Sequence, residues 1–152
     1  LEKWETEYWE TVKARTTIIP ETEEVLESPS DRYEVDSITN TQGQKTTGTH
    51  RISLFPVLEK FFRVIIVAGE NEIPPKPDAA PFRLCLEKLD IAAGQALYVG
   101  DDYRIDIRGA RDAGLHPVWL KHSSVRRNWP AVQTSVPVIT SLEQLLDLEY
   151  IY

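Results

Sequence analysis

The stretch that most constrains what this chain can fold into is Ala96–Gly114, ALYVGDDYRIDIRGARDAG. Ala96-Leu97-Tyr98-Val99 is a short apolar run of the kind that makes a buried strand, and Gly100 ends it. Asp101 and Asp102 follow at once. Ile105, Gly109, Ala110, Ala113 and Gly114 then trace a narrow face of small residues, expected to be a helix lying close on a sheet. Strand, acidic turn and helix put the acids at the carboxyl end of a strand, where open α/β sheets bind their ligands. Asp106, one helical turn further on, adds a third carboxylate. Three acids at one strand end repel one another unless a cation neutralises them, and hard oxygen donors suit Mg²⁺. The competing reading is that an aspartate here only caps a helix. Both readings stand for Asp102; for Asp101 the metal is the expectation.

The rest of the chain supplies the partners of this unit. Strands are expected at Tyr33–Asn40, at Val64–Ala68, at His116–Leu120 and, briefly, at Pro137–Thr140. Val64-Ile65-Ile66-Val67-Ala68 is apolar on both faces, which predicts a strand that is central or covered on both sides. Helices are expected from Pro20 through Leu26, over Asp78–Leu89, and after Ser141-Leu142-Glu143-Gln144, a capping-box signature. Leu54 to Phe62 reads as a short helix and turn. The polar, threonine-rich stretch 41–49 has poor helix propensity. Strands alternating with helices mean βαβ units and a doubly wound, Rossmann-like, mostly parallel α/β sheet. At the start, Trp4, Tyr8 and Val12 lie four apart among glutamates, an aromatic helix face expected to pack. A chain that opens inside a helix with no Met is expected to be part of a longer protein.

Composition removes several function classes. With 152 residues and 41% apolar content there is enough chain for one domain with a core. A net charge of −7 and a pI near 5.0 argue against nucleic acid as a partner, because phosphate-backbone binding needs a basic face. Lys121, His122, Arg126 and Arg127 form the one basic cluster, too short to change that. The single cysteine, Cys85, falls on the apolar stripe Phe82, Cys85, Leu86, Leu89 and reads as a buried structural thiol. It excludes an internal disulfide and fits a reducing, cytoplasmic setting. No apolar run is long enough to span a bilayer, so no membrane partner is expected.

In a parallel sheet the strand ends share one edge. Thr39 and Asn40, then Lys76 in the stiff loop Pro74-Pro75-Lys76-Pro77, then Asp101 and Asp102, would therefore meet in one crevice. A hydroxyl, an amide, an ammonium and a cation-binding acid pair suit a phosphate dianion. At these residues the chain resembles the haloacid dehalogenase-like hydrolases, mostly Mg²⁺-dependent phosphatases. Ile38-Thr39-Asn40 resembles the motif whose hydroxyl binds phosphate, and Lys76-Pro77 the motif whose lysine balances phosphate and nucleophile charge. Gly100-Asp101-Asp102-Tyr103-Arg104-Ile105-Asp106 resembles the metal motif. The resemblance implies phosphate binding by Thr39, Asn40 and Lys76, metal ligation by Asp101 with Asp102, a supporting role for Asp106 beside Lys76 in catalysis, and a small phosphorylated metabolite as substrate. It covers roughly residues 20–150, while residues 1–19 resemble, more weakly, the closing helix of an α-helical cap. The implied division is a cap remnant at 1–19 and an α/β core at 20–152.

One departure matters. These enzymes attack phosphorus with the first aspartate of an Asp-x-Asp motif on their first strand, and no Asp-x-Asp occurs in these 152 residues. In the family that strand lies mid-sheet, between the strands expected at Glu34–Thr39 and Ala96–Gly100. A central strand buries about five apolar side chains at about 1.5–3 kcal/mol each, against a whole-domain stability of about 5–15 kcal/mol. The native protein is therefore expected to have this segment upstream, in the same chain or supplied by another, through a dimer or by complementation. Alternatively the remaining strands close up into a rearranged sheet. The function expected is a Mg²⁺-dependent phosphatase of which this is the C-terminal part, inactive alone. The other reading is a non-catalytic fragment that binds Mg²⁺ or phosphate, or serves as an interaction domain. A receiver-type domain is set aside because its acid pair follows its first strand, and a dinucleotide-binding domain because Gly-x-Gly-x-x-Gly is missing.

Overall fold

A computed structural model describes residues 2–28, 33–40, 51–125 and 128–148. Two helices open it, α1 (Glu2–Arg15) and α2 (Thr22–Glu27), followed by strand β1 (Val35–Asn40). A 3₁₀ turn and helix α3 (Pro56–Glu59), begun by a proline at its first position, lead into β2 (Phe62–Ala68). Then come α4 (Ala80–Leu89), β3 (Leu97–Gly100), α5 (Arg108–Asp112), β4 (His116–Leu120), β5 (Val138–Ile139) and α6 (Gln144–Leu148). The polar stretch 41–49 and the arginines Arg126 and Arg127 lie outside the described residues.

Every strand pairing is parallel, as the alternation of strands and helices requires, and the fold class is α/β. The strands do not form one sheet, however. β1 pairs with β2, in register Thr39 to Val67 and Asn40 to Ala68. β3 pairs with β4 and β4 with β5 in a separate three-stranded sheet. Among the described residues β1 and β3 each have one hydrogen-bonded neighbour, and they are not paired with each other. The strands have therefore not closed up into a rearranged sheet. The two sheets nevertheless share a core: Ile38 and Ile66 from the first pack with Phe82, Cys85 and Leu86 of α4, with Ala110 of α5 and with Leu115. Fully burying a side chain of this kind contributes about 1.5–3 kcal/mol, so the shared helix α4 does much to hold the halves together.

Two expectations change. Among the described residues β2 is hydrogen-bonded to β1 and to no other strand, which leaves coverage of its faces rather than a central place, with Ile66 and Ala68 of its apolar run buried. A continuous apolar run reports that both faces are partly shielded, and says nothing of how many neighbours the strand has. The aromatic stripe of α1 is not buried either: Trp4 is 78% exposed and Tyr8 61%. The Cys85 expectation is met: the thiol is buried in the stripe facing the sheet, and burial pushes its pKa up to about 11. The capping-box residue Gln144 accepts from the amides of Thr140 and Ser141 at 2.6 and 3.3 Å, so the helix signal at 141–144 is used. No helix of the described residues is long and apolar enough to cross a membrane.

Candidate active site

The acidic turn is built by packing as much as by charge. Gly100 ends β3 where Asp106 comes back over it: a Cβ at Gly100 would lie 2.3 Å from the Asp106 Cβ. Only a residue without a side chain lets the two approach. Asp102 then accepts from the amides of Arg104 (2.9 Å) and Ile105 (3.2 Å), the helix-capping role weighed for it. The helix opens as a wide turn, Tyr103–Ile107, with i→i+5 bonds such as Ile107 N–H to Asp102 O, before tightening into α5. π-type turns of this kind are frequent at functional sites. Gly109 lets α5 lie against the Phe82 ring and the Pro77 carbonyl, which a Cβ would meet at 2.7 and 3.0 Å.

Lys76 reaches this turn from the other sheet. Its loop is pinned by Asn40, whose Oδ1 accepts from Lys76 N–H at 2.8 Å and whose Nδ2 donates to Lys76 O at 3.2 Å. The Lys76–Pro77 peptide is cis. The ammonium donates to three oxygens: Ile38 O at 2.9 Å, the Tyr98 hydroxyl at 2.9 Å and Asp106 Oδ1 at 2.7 Å. It thus spans from β1 to β3, across the line where the sheets are not paired. Both side chains of the ion pair are buried, Lys76 9% and Asp106 8% exposed. The other carboxylate oxygen of Asp106 accepts from Asp102 N–H at 3.0 Å. Asp106 therefore has an ammonium as its counter-charge, a partner that the reading of three acids around one cation did not include. Among the described residues no group of three or more acid, histidine or cysteine side chains is arranged around a common point.

The predicted residues otherwise sort as follows. Thr39 and Asn40 end β1 beside Lys76; the Thr39 hydroxyl makes one long bond, 3.4 Å, to Asn40 O. Asn40 acts on the loop backbone, through the two bonds above. Asp101 and Asp102 line a cavity of about 230 Å³ together with Tyr103, Arg104, Asn128 and Trp129. The buried Trp119 supports two of these residues, its indole N–H donating to Asp101 O at 3.1 Å and its ring meeting Trp129 edge-on at 6.2 Å. Lys121, of the basic cluster, has its ammonium 3.8 Å over the Trp119 ring. His122 does not belong to an exposed basic patch: it is 6% exposed and lies 2.7 Å from Glu21 and 2.7 Å from the Ser124 hydroxyl.

Tyr98 is the site residue the motif reading passed over. Burial first, and then Asp106, hold its phenol well above the ordinary range, so it is a neutral hydroxyl at physiological pH. The signal was available. Alternate residues of a strand share a face, so Tyr98 faces with Gly100, the position whose missing side chain makes room for Asp106.

The chain is similar to several known proteins. The family model described as haloacid dehalogenase-like hydrolase matches residues 1–120. A phosphoserine phosphatase of Thermus thermophilus is 40% identical over 63 residues, 41% of this chain and 25% of that protein. The 5-amino-6-(5-phospho-D-ribitylamino)uracil phosphatase of Escherichia coli is 28% identical over 109 residues, 72% of this chain and 42% of its own. Among solved structures, a 2-haloacid dehalogenase from Pseudomonas syringae superposes with a TM-score of 0.73 at 27% identity, covering 90% of this chain and 55% of that one. A phosphatase from Thermococcus onnurineus gives 0.72 at 25% identity over 96% of this chain and 64% of its own. The chain spans from 25% to 45% of the length of the first curated relatives it matches.

Proposed function

This chain belongs to the haloacid dehalogenase-like hydrolases, and on that premise we propose that it is the C-terminal part of a Mg²⁺-dependent phosphatase acting on a small phosphorylated metabolite. The observation that carries the reading is the Lys76 ammonium, buried between the ends of β1 and β3 and bonded to Asp106. It supplies positive charge where a phosphate dianion needs it, with the Thr39 hydroxyl on the neighbouring strand end as a second donor. Asn40 enters through its two bonds to the Lys76 backbone, which set the height of that ammonium. Asp106 orients Lys76 and the Asp102 amide together. The named relatives, which remove phosphate from phosphoserine and from a phosphoribitylamino-uracil, support the substrate class.

Asp101 and Asp102 fit a magnesium ion. Mg²⁺ keeps several of its waters and is held by one or two carboxylates plus substrate phosphate oxygens, so a pair of acids at a strand end is a sufficient protein donor set. When bound, the ion would neutralise charge on the phosphoryl oxygens. Asp106 is outside that set, because both of its oxygens are engaged.

The nucleophile is not among these residues, since no Asp-x-Asp occurs in the chain. We assign it to an upstream segment, of the same protein or of another copy, that pairs with the open edges of β1 and β3. Residues 1–19 are then a cap remnant and 20–152 the core without that strand. A reducing, cytoplasmic setting belongs to the same reading, supported by the lone buried Cys85. The test is p-nitrophenyl phosphate turnover with and without Mg²⁺, on this chain and on an upstream-extended form. Turnover is expected from the extended form only, and only with Mg²⁺. Turnover by neither favours a non-catalytic Mg²⁺- or phosphate-binding fragment. Turnover by this chain alone overturns the account of the nucleophile.

A further inference from the structure

An ammonium has three N–H donors and no more. At Lys76 all three have oxygen partners within 2.7–2.9 Å: Asp106 Oδ1, Ile38 O and the Tyr98 hydroxyl. An arriving phosphate oxygen can gain a bond from this ammonium only by displacing one of them. The three are not equally replaceable. Asp106 is a buried counter-charge, and parting it from Lys76 would strand an ion. The Ile38 carbonyl is main chain of β1 and moves only with the strand. The Tyr98 hydroxyl is neutral, and two other acceptors lie close to it, Ile38 O at 3.3 Å and Asp106 Oδ1 at 3.4 Å. Releasing the ammonium leaves its own O–H able to donate to either, so no polar atom is orphaned.

We propose that in this chain, before an upstream segment is seated between β1 and β3, Tyr98 is a placeholder ligand of Lys76, occupying the third ammonium donor until a phosphate oxygen takes it. Tyr98 is then a positioning residue that lowers phosphate affinity while keeping the empty site intact. The raised phenol pKa serves this role, since a phenolate would compete with phosphate as an anion. The inference rests on reading Lys76 as the phosphate countercharge, and the experiment separates the two.

Tyr98→Phe keeps the ring that meets Phe82 edge-on at 4.9 Å and removes only the hydroxyl. The probe is inorganic orthophosphate, titrated by calorimetry into wild type, Tyr98→Phe and Lys76→Ala, with the Lys76 ammonium followed by ¹⁵N NMR. Tyr98→Phe is expected to bind orthophosphate about ten- to hundredfold more tightly, the size of one hydrogen bond to a charged group no longer displaced. Without phosphate, its Lys76 ammonium protons should exchange faster with water than those of wild type. In wild type the Tyr98 Cζ resonance should shift as phosphate saturates, a readout available even if the variant does not fold. Equal or weaker binding by Tyr98→Phe, with Lys76→Ala still impaired, overturns the placeholder alone, as does an unmoved Tyr98 Cζ resonance or unchanged ammonium exchange. Binding unaffected by Lys76→Ala, or no binding by wild type, overturns the Lys76 reading and the inference with it.

Discussion

Asp106 carries more of this site than its place in the motif suggests. One oxygen holds Lys76 and the other the Asp102 amide, so a single carboxylate ties the Lys76 loop to the acidic turn. Asp106→Asn keeps the shape and removes the charge, leaving Lys76 as a buried cation without its counter-ion. The expected loss is about 3–5 kcal/mol in urea unfolding, recovered in large part by adding Lys76→Met; a loss under about 0.5 kcal/mol would contradict the buried-pair account. Both neighbouring acids belong to the proposed metal set, and Asp102 is a helix cap as well. Asp102→Ala removes a cap from two amides and should cost about 1 kcal/mol of stability. Asp101→Ala should weaken Mg²⁺ binding in calorimetry with little change in unfolding, and unchanged metal affinity would remove it from the ligand set. Glu21 sets a pH dependence. A backbone hydrogen bond within Glu21 itself, then those from His122 and from the Leu142 amide, hold its carboxyl below the ordinary 4.5 despite partial burial. A carboxylate depressed in the folded state stabilises fully above its unfolded value and loses that contribution as pH falls through the folded one. The stability gap between wild type and Glu21→Gln should therefore shrink as the pH falls below 4.5.

At the scale of elements, the unit β3–turn–α5 was the most legible, because three constraints coincide there. An apolar strand, a glycine with acids behind it and a helix face of small residues admit few arrangements. The contacts of Gly100 and Gly109 explain why those positions cannot carry a side chain. Gly100→Ala is expected to be the more damaging, since its Cβ would meet the Asp106 Cβ at 2.3 Å and push the carboxylate off Lys76. Gly109→Ala presses on one edge of the Phe82 ring and should cost about 1–3 kcal/mol as an overpacking change. Thermal melts with an orthophosphate titration on each would show the difference, Gly100→Ala losing binding as well as stability. Elsewhere periodicity misled. The stripe Trp4, Tyr8, Val12 has helical spacing and α1 is a helix, but spacing cannot say whether any surface is there to receive the face.

For the whole molecule the decisive feature is the line between β1 and β3. Both sheets are parallel, both contribute to one core through α4, and among the described residues each turns an edge with no strand partner toward Lys76. Backbone groups along such edges depend on water or side chains for partners. Amide exchange in β1 and β3 is expected to be fast in this chain and markedly slower in an upstream-extended form. Equal exchange in the two would argue against a segment seated between the sheets.

The residue order alone determined the α/β class, the parallel strands, the buried Cys85 and the meeting of Thr39, Lys76 and the acid turn at one end of the strands. Each of these follows from local period, from turn chemistry, or from the rule that parallel strands end together. Tertiary structure decided what those residues do once there: that Asp106 is matched by an ammonium, that Asp102 caps a helix, that Asn40 grips a loop, and that Tyr98 fills the last donor of Lys76. It also decided that the strands stand as two sheets. Such outcomes depend on which oxygen lies within 3 Å of which nitrogen, and that distance is set by packing between segments far apart in the chain.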